Sequence, residues 1–363
     1  MHALPRFDID ADVTRARTPD KALYLDEAVF AAVRDRVFAR SWQWLGREDD
    51  VAAPGSLAPR ELLPGLLDEP LLLARDGAGL LRCLSNVCTH RGKRMLEAPC
   101  RASHIRCSYH GRRFALDGRF IAAPGFEGAQ DFPTASDHLP TLPLAAWQGH
   151  AFASLNPALG LDDWLGDMPR RLAWLPVAGF AAEPARSRDY EFDAHWALYV
   201  ENYLEGLHIP FVHAGLNRVL EMGGYRYELG RASVLQLATA REGEPAFDLP
   251  PDAAEHGQRI AAYYWWLFPN LMLNFYPWGL SVNVVQPLGL SRTRVLFRSF
   301  VADASQLGQG AGAALDTVER EDEAAVQGVQ RGLRSGLYRS GRYAPAHERG
   351  VHHFHRLLAA ALN

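Results

Sequence analysis

The sequence predicts an α+β fold in which a small all-β module interrupts a larger domain built on a broad, helix-covered antiparallel sheet. Three observations predict it. From about residue 43 to 155, short apolar runs are broken by Gly, Pro and Asp, as in PLLLARDGAGLLRCLSNVC, IRCSYHGRRFALDGRF and HAFASLNP. The Asp-Gly pairs in RDGAG and ALDGRF mark hairpin turns. From 225 to 300 the runs lengthen to YRYELG, ASVLQLATAR, YYWWLFPNLMLNFY, LSVNVVQPLG and TRVLFRSFV, the pattern of long strands in one antiparallel sheet. Stretches with helical apolar spacing flank both regions.

Taken in order, Val29, Phe30, Val33, Val37 and Phe38 recur at helical spacing and predict an amphipathic helix over 26–42. Residues 125–143, with three prolines after Gly125 and several acidic residues, read as a long surface loop. Helices are expected at about 161–175 and 195–213, ahead of the long strands. Two more are expected at 311–331 and 347–361. The domains then run 1–42 (the helical start of the larger domain), 43–155 (the β module) and 156–363 (the rest of the larger domain). No internal repeat or low-complexity tract interrupts this plan.

Composition narrows the function. The chain has 363 residues, 48% hydrophobic and 22% charged, which is the balance of a globular protein. A net charge of −4 with both signs interspersed gives no electrostatic case for a nucleic-acid partner. No run approaches the ~18 apolar residues of a membrane span. The opening MHALPRFDID lacks a basic segment followed by an apolar core, so a cytoplasmic protein is expected. Cys83, Cys88, Cys100 and Cys107 fall within 25 residues, and in a reducing compartment such a cluster points to metal chemistry before disulfides.

The first metal constellation is Cys88-Thr-His90, sixteen residues, then Cys107-Ser-Tyr-His110. Two Cys and two His suit either zinc or an iron–sulfur cluster. A zinc finger pairs its cysteines in one place and its histidines in another. Here each turn offers one thiolate and one imidazole, which favours a Rieske [2Fe–2S] cluster, where one iron takes two Cys and the other two His. Cys83, in LLRCLSN, reads as core, and Cys100, without a His at metal spacing, as a loop residue.

The second constellation lies in ALYVENYLEGLHIPFVH. Glu201, Glu205 and His208 fall at i, i+4 and i+7, on one face of the expected helix. Pro210 should bend or break that helix and let His213 swing towards His208. Two His and a carboxylate form the facial triad that holds non-haem Fe(II) with positions open for O2 and substrate.

Together, CTHRG, YHG and the second segment resemble Rieske non-haem iron ring-hydroxylating oxygenases, alpha (catalytic) subunit. The resemblance covers nearly the whole chain, from Ser41-Trp42 to GRY at 341–343 and the last helix. It implies a helix-grip (START-like) catalytic domain. It also implies a [2Fe–2S] cluster on Cys88, His90, Cys107 and His110, and a mononuclear Fe(II) on His208, His213 and a carboxylate of the acidic helix LDTVEREDEAAVQGVQRGLRS. The family's Glu-Asp pair selects Asp322 there, with Asp316, Glu319, Glu321 and Glu323 as rivals. Glu205 stands where most members carry Asp. Glu occurs there in the subgroup near choline and carnitine monooxygenases and related demethylases, and it would bridge His208 to His110 of a neighbouring subunit. Asn202 matches an Asn common near the iron, where it would hydrogen-bond a bound water or dioxygen species.

The family works as a mono- or dioxygenase with O2 and an NAD(P)H-dependent reductase (with or without ferredoxin), and forms head-to-tail homotrimers; the resemblance implies hydroxylation or oxidative demethylation of a small-molecule substrate, a quaternary ammonium or an aromatic compound. The competing reading is a Rieske electron-transfer protein without oxygenase activity; a zinc-stabilised binding module is a third. Two positions depart from the pattern. Arg112 replaces the usual Trp after YHG and is expected to alter the surface met by the electron donor. Gly206-Leu207 replaces a frequent Cys-Tyr. His347, His352, His353 and His355 are expected to pack structurally. Among Tyr263, Tyr264, Trp265, Trp266, Phe268, Phe275, Tyr276 and Trp278, strand alternation lets only half share a face, leaving one or two for a cation–π cage.

Overall fold

The structure, a computed structural model, describes residues 4–363. Contacts divide the chain into two units: Ala39–Ala158, and the residues before it together with Leu159–Asn363.

The Ala39–Ala158 unit is all-β. One sheet orders Leu81–Ser85, Glu69–Arg75, Ser56–Leu62 and Cys100–Arg101. A second orders Gln43–Arg47, His150–Ala153 and Leu144–Trp147. A third orders Ile105–Arg106, Arg113–Phe114 and Phe120–Ala122. Asp76 closes the RDGAG hairpin, accepting from the N–H groups of Ala78 and Leu80 at 2.9 Å each. Cys83 is core, as expected. Cys100 is not in a loop; it pairs with Leu57 as a short edge strand.

The other unit is built on an eight-stranded antiparallel sheet. Its order is Ala181–Ala182, Arg292–Val301, Gly279–Gly289, Leu271–Tyr276, Ile260–Leu267, Ser233–Thr239 and Arg226–Leu229, with Arg188–Phe192 also pairing Arg292–Val301. YYWWLFPNLMLNFY is two strands, because the turn at Phe268–Asn270 holds Pro269, which has no N–H for a ladder. Every residue of Ile260–Leu267 is buried, so both faces are covered. Trp266 packs on Phe354 of the helix Arg349–Leu362, and Phe354 on Trp196. On the opposite face Tyr263 meets Trp174 and Phe247.

Several helices are shorter than their apolar spacing suggests. Asp26 caps Glu27–Arg36 by accepting from Ala28 and Val29, and the chain then tightens into the 3-10 turn Phe38–Arg40. The 161–175 stretch splits into Leu161–Leu165 and Met168–Arg171 around Gly166, whose φ of 61° leaves the helical region. The 195–213 stretch splits into Trp196–Tyr203 and Ile209–Val212, followed by Ala214–Val219. The acidic helix runs Leu315–Leu333. No helix of the described residues is long and apolar enough to cross a membrane.

His195 caps Trp196–Tyr203 through Nδ1, which accepts from Ala197 N–H at 3.3 Å, while its own N–H donates to Gln330 Oε1 at 2.7 Å. Complete burial pushes its pKa down to about 3. The unfolded chain takes up this proton near pH 6.5 and the folded chain does not. The stabilisation is therefore present above that pH and is lost as pH falls towards 3, by about 2–3 kcal/mol at pH 4.5. His195→Asn keeps a capping side chain. Its melting temperature should fall less than wild type's between pH 7 and 4.5, and equal losses would contradict this assignment.

Candidate metal centres

The two Cys/His turns of the small unit share one backbone design. Cys88 N–H donates to Lys93 C=O at 2.8 Å and Gly92 N–H to Cys88 C=O at 3.0 Å. Cys107 N–H donates to Arg112 C=O at 2.9 Å and Gly111 N–H to Cys107 C=O at 3.1 Å. Gly92 and Gly111 take φ of 69° and 73°, which explains glycine at the fifth position of each turn. Cys88 and Cys107 are both buried in the apolar cluster of Leu57, Leu72, Leu84 and Phe114. The His90 and His110 rings lie 4.7 Å apart, His110 exposed and His90 half-buried. His90 Nδ1 is buried with no hydrogen-bond partner, the state of a nitrogen that ligates metal. Two adjacent thiols inside and two adjacent imidazoles towards the surface fit a [2Fe–2S] cluster ligated by Cys on one iron and His on the other.

Arg112 corrects an expectation. It is only 3% exposed and presents no surface to a donor. Its guanidinium lies 5.1–5.3 Å from the ring centroids of Phe120, Phe126 and Phe132. It donates to Thr89 Oγ1 at 2.8 Å and Asp137 Oδ1 at 3.2 Å. Thr89 lies between Cys88 and His90, and its hydroxyl donates to Asp137 C=O at 2.9 Å. Arg112 thus ties both metal turns to the 125–143 segment, whose Phe126 also meets the His90 ring at 5.1 Å. That segment packs on both Cys/His turns and is not only a surface loop. Arg112→Ala should destabilise this unit by about 2 kcal/mol, from lost charge-assisted hydrogen bonds. Thermal bleaching of the visible chromophore at a lower temperature than in wild type checks it; an unchanged midpoint would contradict the clamp.

In the larger unit, Trp196–Tyr203 ends inside the second constellation, after Glu201 and before Glu205, with Leu204 N–H bonded to Val200 and Glu201 carbonyls. Glu201, Glu205 and His208 therefore do not share a helical face. Glu201 points into the core, 3.1 Å from His355 Nε2. The break falls at 204–208, ahead of Pro210. Pro210 sits in the first turn of Ile209–Val212, where its missing N–H costs nothing. Glu205 shapes the break: Oε2 accepts from the backbone N–H groups of Leu207 and His208, and Oε1 from His208 Nδ1 at 2.6 Å.

His208, His213 and Asp322 come together as expected. His208 Nε2 is 3.1 Å from His213 Nε2, His213 Nε2 is 2.9 Å from Asp322 Oδ1, and His208 Nε2 is 3.5 Å from Asp322 Oδ1. Bonds of about 2.1 Å at right angles place ligand atoms about 3.0 Å apart, so the triangle matches one face of an octahedral metal. The other ring nitrogens face carboxylates: His208 Nδ1 meets Glu205 and His213 Nδ1 meets Glu321 Oε2 at 2.7 Å. That places the ring protons on Nδ1 and aims both Nε2 lone pairs at the point Asp322 Oδ1 faces, an arrangement a cation completes. Burial alone would lower the pKa of His213; hydrogen bonds and charge from Asp322 and Glu321 outweigh it and raise it.

Asn202 Nδ2 donates to Asp322 Oδ1 at 2.6 Å, so it orients the ligand carboxylate. Among the rival acids, Glu321 serves His213, Asp316 accepts from Tyr190 OH at 3.0 Å, and neither Glu319 nor Glu323 joins the triangle.

A cavity of about 100 Å³ lies beside the triangle. Tyr199, Tyr203, Tyr225, Tyr264, Tyr276 and Phe297 line it, with Gln236, Asn274, Asn283 and Glu319 among its polar groups. Burial raises the pKa of all five tyrosines above its ordinary value, so their hydroxyls stay protonated. Tyr203 OH donates to Asn274 Oδ1 at 2.7 Å and Tyr225 OH to Gln236 Oε1 at 3.2 Å, which fixes those rings. A Cβ at Gly206 would lie 3.2 Å from Tyr225 and 3.3 Å from the Tyr227 hydroxyl, so glycine there admits the tyrosine wall.

Of the aromatic run, Tyr264 and Tyr276 reach this cavity. Tyr203 and Tyr225, on other elements, carry no spacing signal that could have singled them out. The C-terminal histidines are structural where their contacts are resolved: His352 Nε2 bonds Asp10 C=O and His355 Nδ1 bonds Tyr343 OH, each at 2.7 Å.

Comparison with known proteins gives a consistent assignment. Residues 41–134 match the Rieske [2Fe-2S] domain, and residues 181–363 match the ring hydroxylating alpha subunit (catalytic domain). A chloroplastic choline monooxygenase of Arabidopsis thaliana is 30% identical over 97% of this chain and 84% of its own length. The carnitine monooxygenase oxygenase subunit of Escherichia coli K12 is 27% identical over 96% and 95%. Among solved structures, the quaternary ammonium Rieske monooxygenase CntA in complex with an inhibitor superposes with a TM-score of 0.83 at 23% identity, covering 99% of this chain and 100% of that one. Naphthalene 1,2-dioxygenase from Rhodococcus sp. gives 0.70 at 20% identity, with 94% of each chain covered.

Proposed function

The chain belongs to the Rieske ring-hydroxylating oxygenase alpha-subunit family, and from that premise we propose that it hydroxylates or oxidatively demethylates a small quaternary ammonium compound. As a member it is an oxygenase with a Rieske [2Fe–2S] cluster and a mononuclear iron. The observation that carries the substrate reading is the cavity beside the His208–His213–Asp322 triangle, walled by five tyrosines. Tyrosine faces attract a methylated ammonium through the ring quadrupole and need no hydrogen-bond donor from it. The names of the choline and carnitine monooxygenase relatives support the same class.

In this reading Cys88, His90, Cys107 and His110 hold the cluster, and His208, His213 and Asp322 hold the iron. Bound, these groups supply O2 activation with electrons from an NAD(P)H-dependent reductase, with or without a ferredoxin. Glu205 and Glu321 fix the two histidine tautomers, and Asn202 fixes the Asp322 carboxylate. The tyrosine wall holds the substrate beside the triangle and excludes water.

Glu205 also serves as the bridge to His110 of a neighbouring subunit in a homotrimer. Tyr109 and Phe211, 56% and 84% exposed, and Leu207 support such a docking, since they leave apolar surface next to His110 and Glu205. A cytoplasmic location belongs to the same reading, supported by Cys83 and Cys100, which are not joined in a disulfide.

Oxygen uptake with a promiscuous reductase tests the proposal across ammonium and aromatic compounds. Uptake coupled to an oxidised ammonium product is expected. Coupled turnover of aromatic compounds alone would contradict it.

A further inference from the structure

We propose that Glu319 sets the charge class of the substrate: the cavity accepts a small ammonium compound of net positive charge and rejects zwitterions that add a carboxylate. The proposal rests on the ammonium reading above and narrows it.

Glu319 lies three residues before Asp322 on the helix Leu315–Leu333, lines the cavity and is 2% exposed. Tyr199 OH donates to its Oε2 at 2.5 Å. Its Oε1 is buried and has no hydrogen-bond partner. A buried carboxylate with half its acceptor capacity unused calls for a cation. Among the described residues that line the cavity there is no Lys and no Arg. Gln236, Asn274 and Asn283 add neutral amides, which suit a hydroxyl.

The charge of a bound iron is already answered by Asp322 and, behind the histidines, by Glu205 and Glu321. A substrate carboxylate would therefore enter beside three acids, Glu205, Glu319 and Asp322, with no Lys or Arg side chain to receive it, and like-charge juxtaposition excludes partners strongly. The tyrosines recognise the methylated nitrogen in either substrate. Glu319 adds the discrimination they cannot make. Burial also pushes its carboxyl well above the ordinary range, a cost that an arriving cation relieves.

The test is calorimetric binding to iron-loaded holoenzyme. The probes are choline (net charge +1), carnitine (net charge zero) and 3,3-dimethylbutan-1-ol, the uncharged carbon isostere of choline. Wild type should bind choline about 30-fold or more tighter than carnitine. Glu319→Gln should lose about 30-fold in choline affinity while its affinity for the isostere is unchanged, and Glu319→Asp should restore most of the choline affinity. Unchanged choline affinity in Glu319→Gln, or tighter binding of carnitine than choline by wild type, overturns the role of Glu319 and leaves the ammonium reading standing. Equal wild-type affinity for choline and its isostere overturns the ammonium reading itself. If Glu319→Gln does not retain iron, the wild-type ranking and Glu319→Asp still decide.

Discussion

Glu205→Ala is expected to keep the cluster and, in excess Fe(II), the mononuclear iron, while steady-state oxygenation falls by about 100-fold. One carboxylate does two jobs. Its Oε2 takes the backbone N–H groups of Leu207 and His208, which holds the chain in the non-helical turn that points His208 inward. Its Oε1 takes His208 Nδ1–H and so frees Nε2 for the metal. The proposed bridge to a neighbouring His110 adds a third demand that Ala cannot meet. Glu205→Gln keeps one acceptor oxygen, enough for either the backbone N–H groups or His208 Nδ1–H, and removes the charge. Wild-type single-turnover rates in Glu205→Ala would contradict the bridge.

His208→Ala should have an even larger effect: iron falls from about three to about two per chain, and oxygenation is abolished. The triangle has three corners and no spare carboxylate, since Glu321 is engaged with His213 Nδ1 and Glu319 stands outside it. The visible Rieske spectrum should persist, because Cys88, His90, Cys107 and His110 all lie in the other compact unit. Asp322→Ala should behave alike. Loss of the chromophore in either variant would contradict two independent sites.

The candidate Cys and His ligands were legible in the sequence because they sit in short local motifs whose spacing reflects the geometry of a turn, whereas Asp322, inside the long helix Leu315–Leu333, was singled out only by the family resemblance. Each Cys/His turn ends on a glycine that its backbone conformation requires, and the second histidine follows a proline in a short helical turn. The long strands were legible from their apolar runs. Helix ends were not. The break at 204–208 depends on a side chain folding back onto its own backbone, and apolar periodicity continues across it.

Arg112 misled because a charged residue next to a motif reads as surface. Its burial depends on three phenylalanines and Asp137 from a segment that itself reads as a loop. The cavity wall was least legible. Tyr203, Tyr225, Gln236 and Asn274 come from separate elements and meet only in the fold. Glu319 looked like a rival ligand, since nothing local distinguishes it from Asp322.

The central claim is that one chain holds two separate iron sites. Iron and acid-labile sulfide analysis of the purified protein, with electron paramagnetic resonance after reduction, tests it most directly. About three irons and two sulfides per chain are expected, with a Rieske signal from the reduced cluster. Two irons with two sulfides would mark an electron carrier, and a colourless protein holding zinc would contradict both sites.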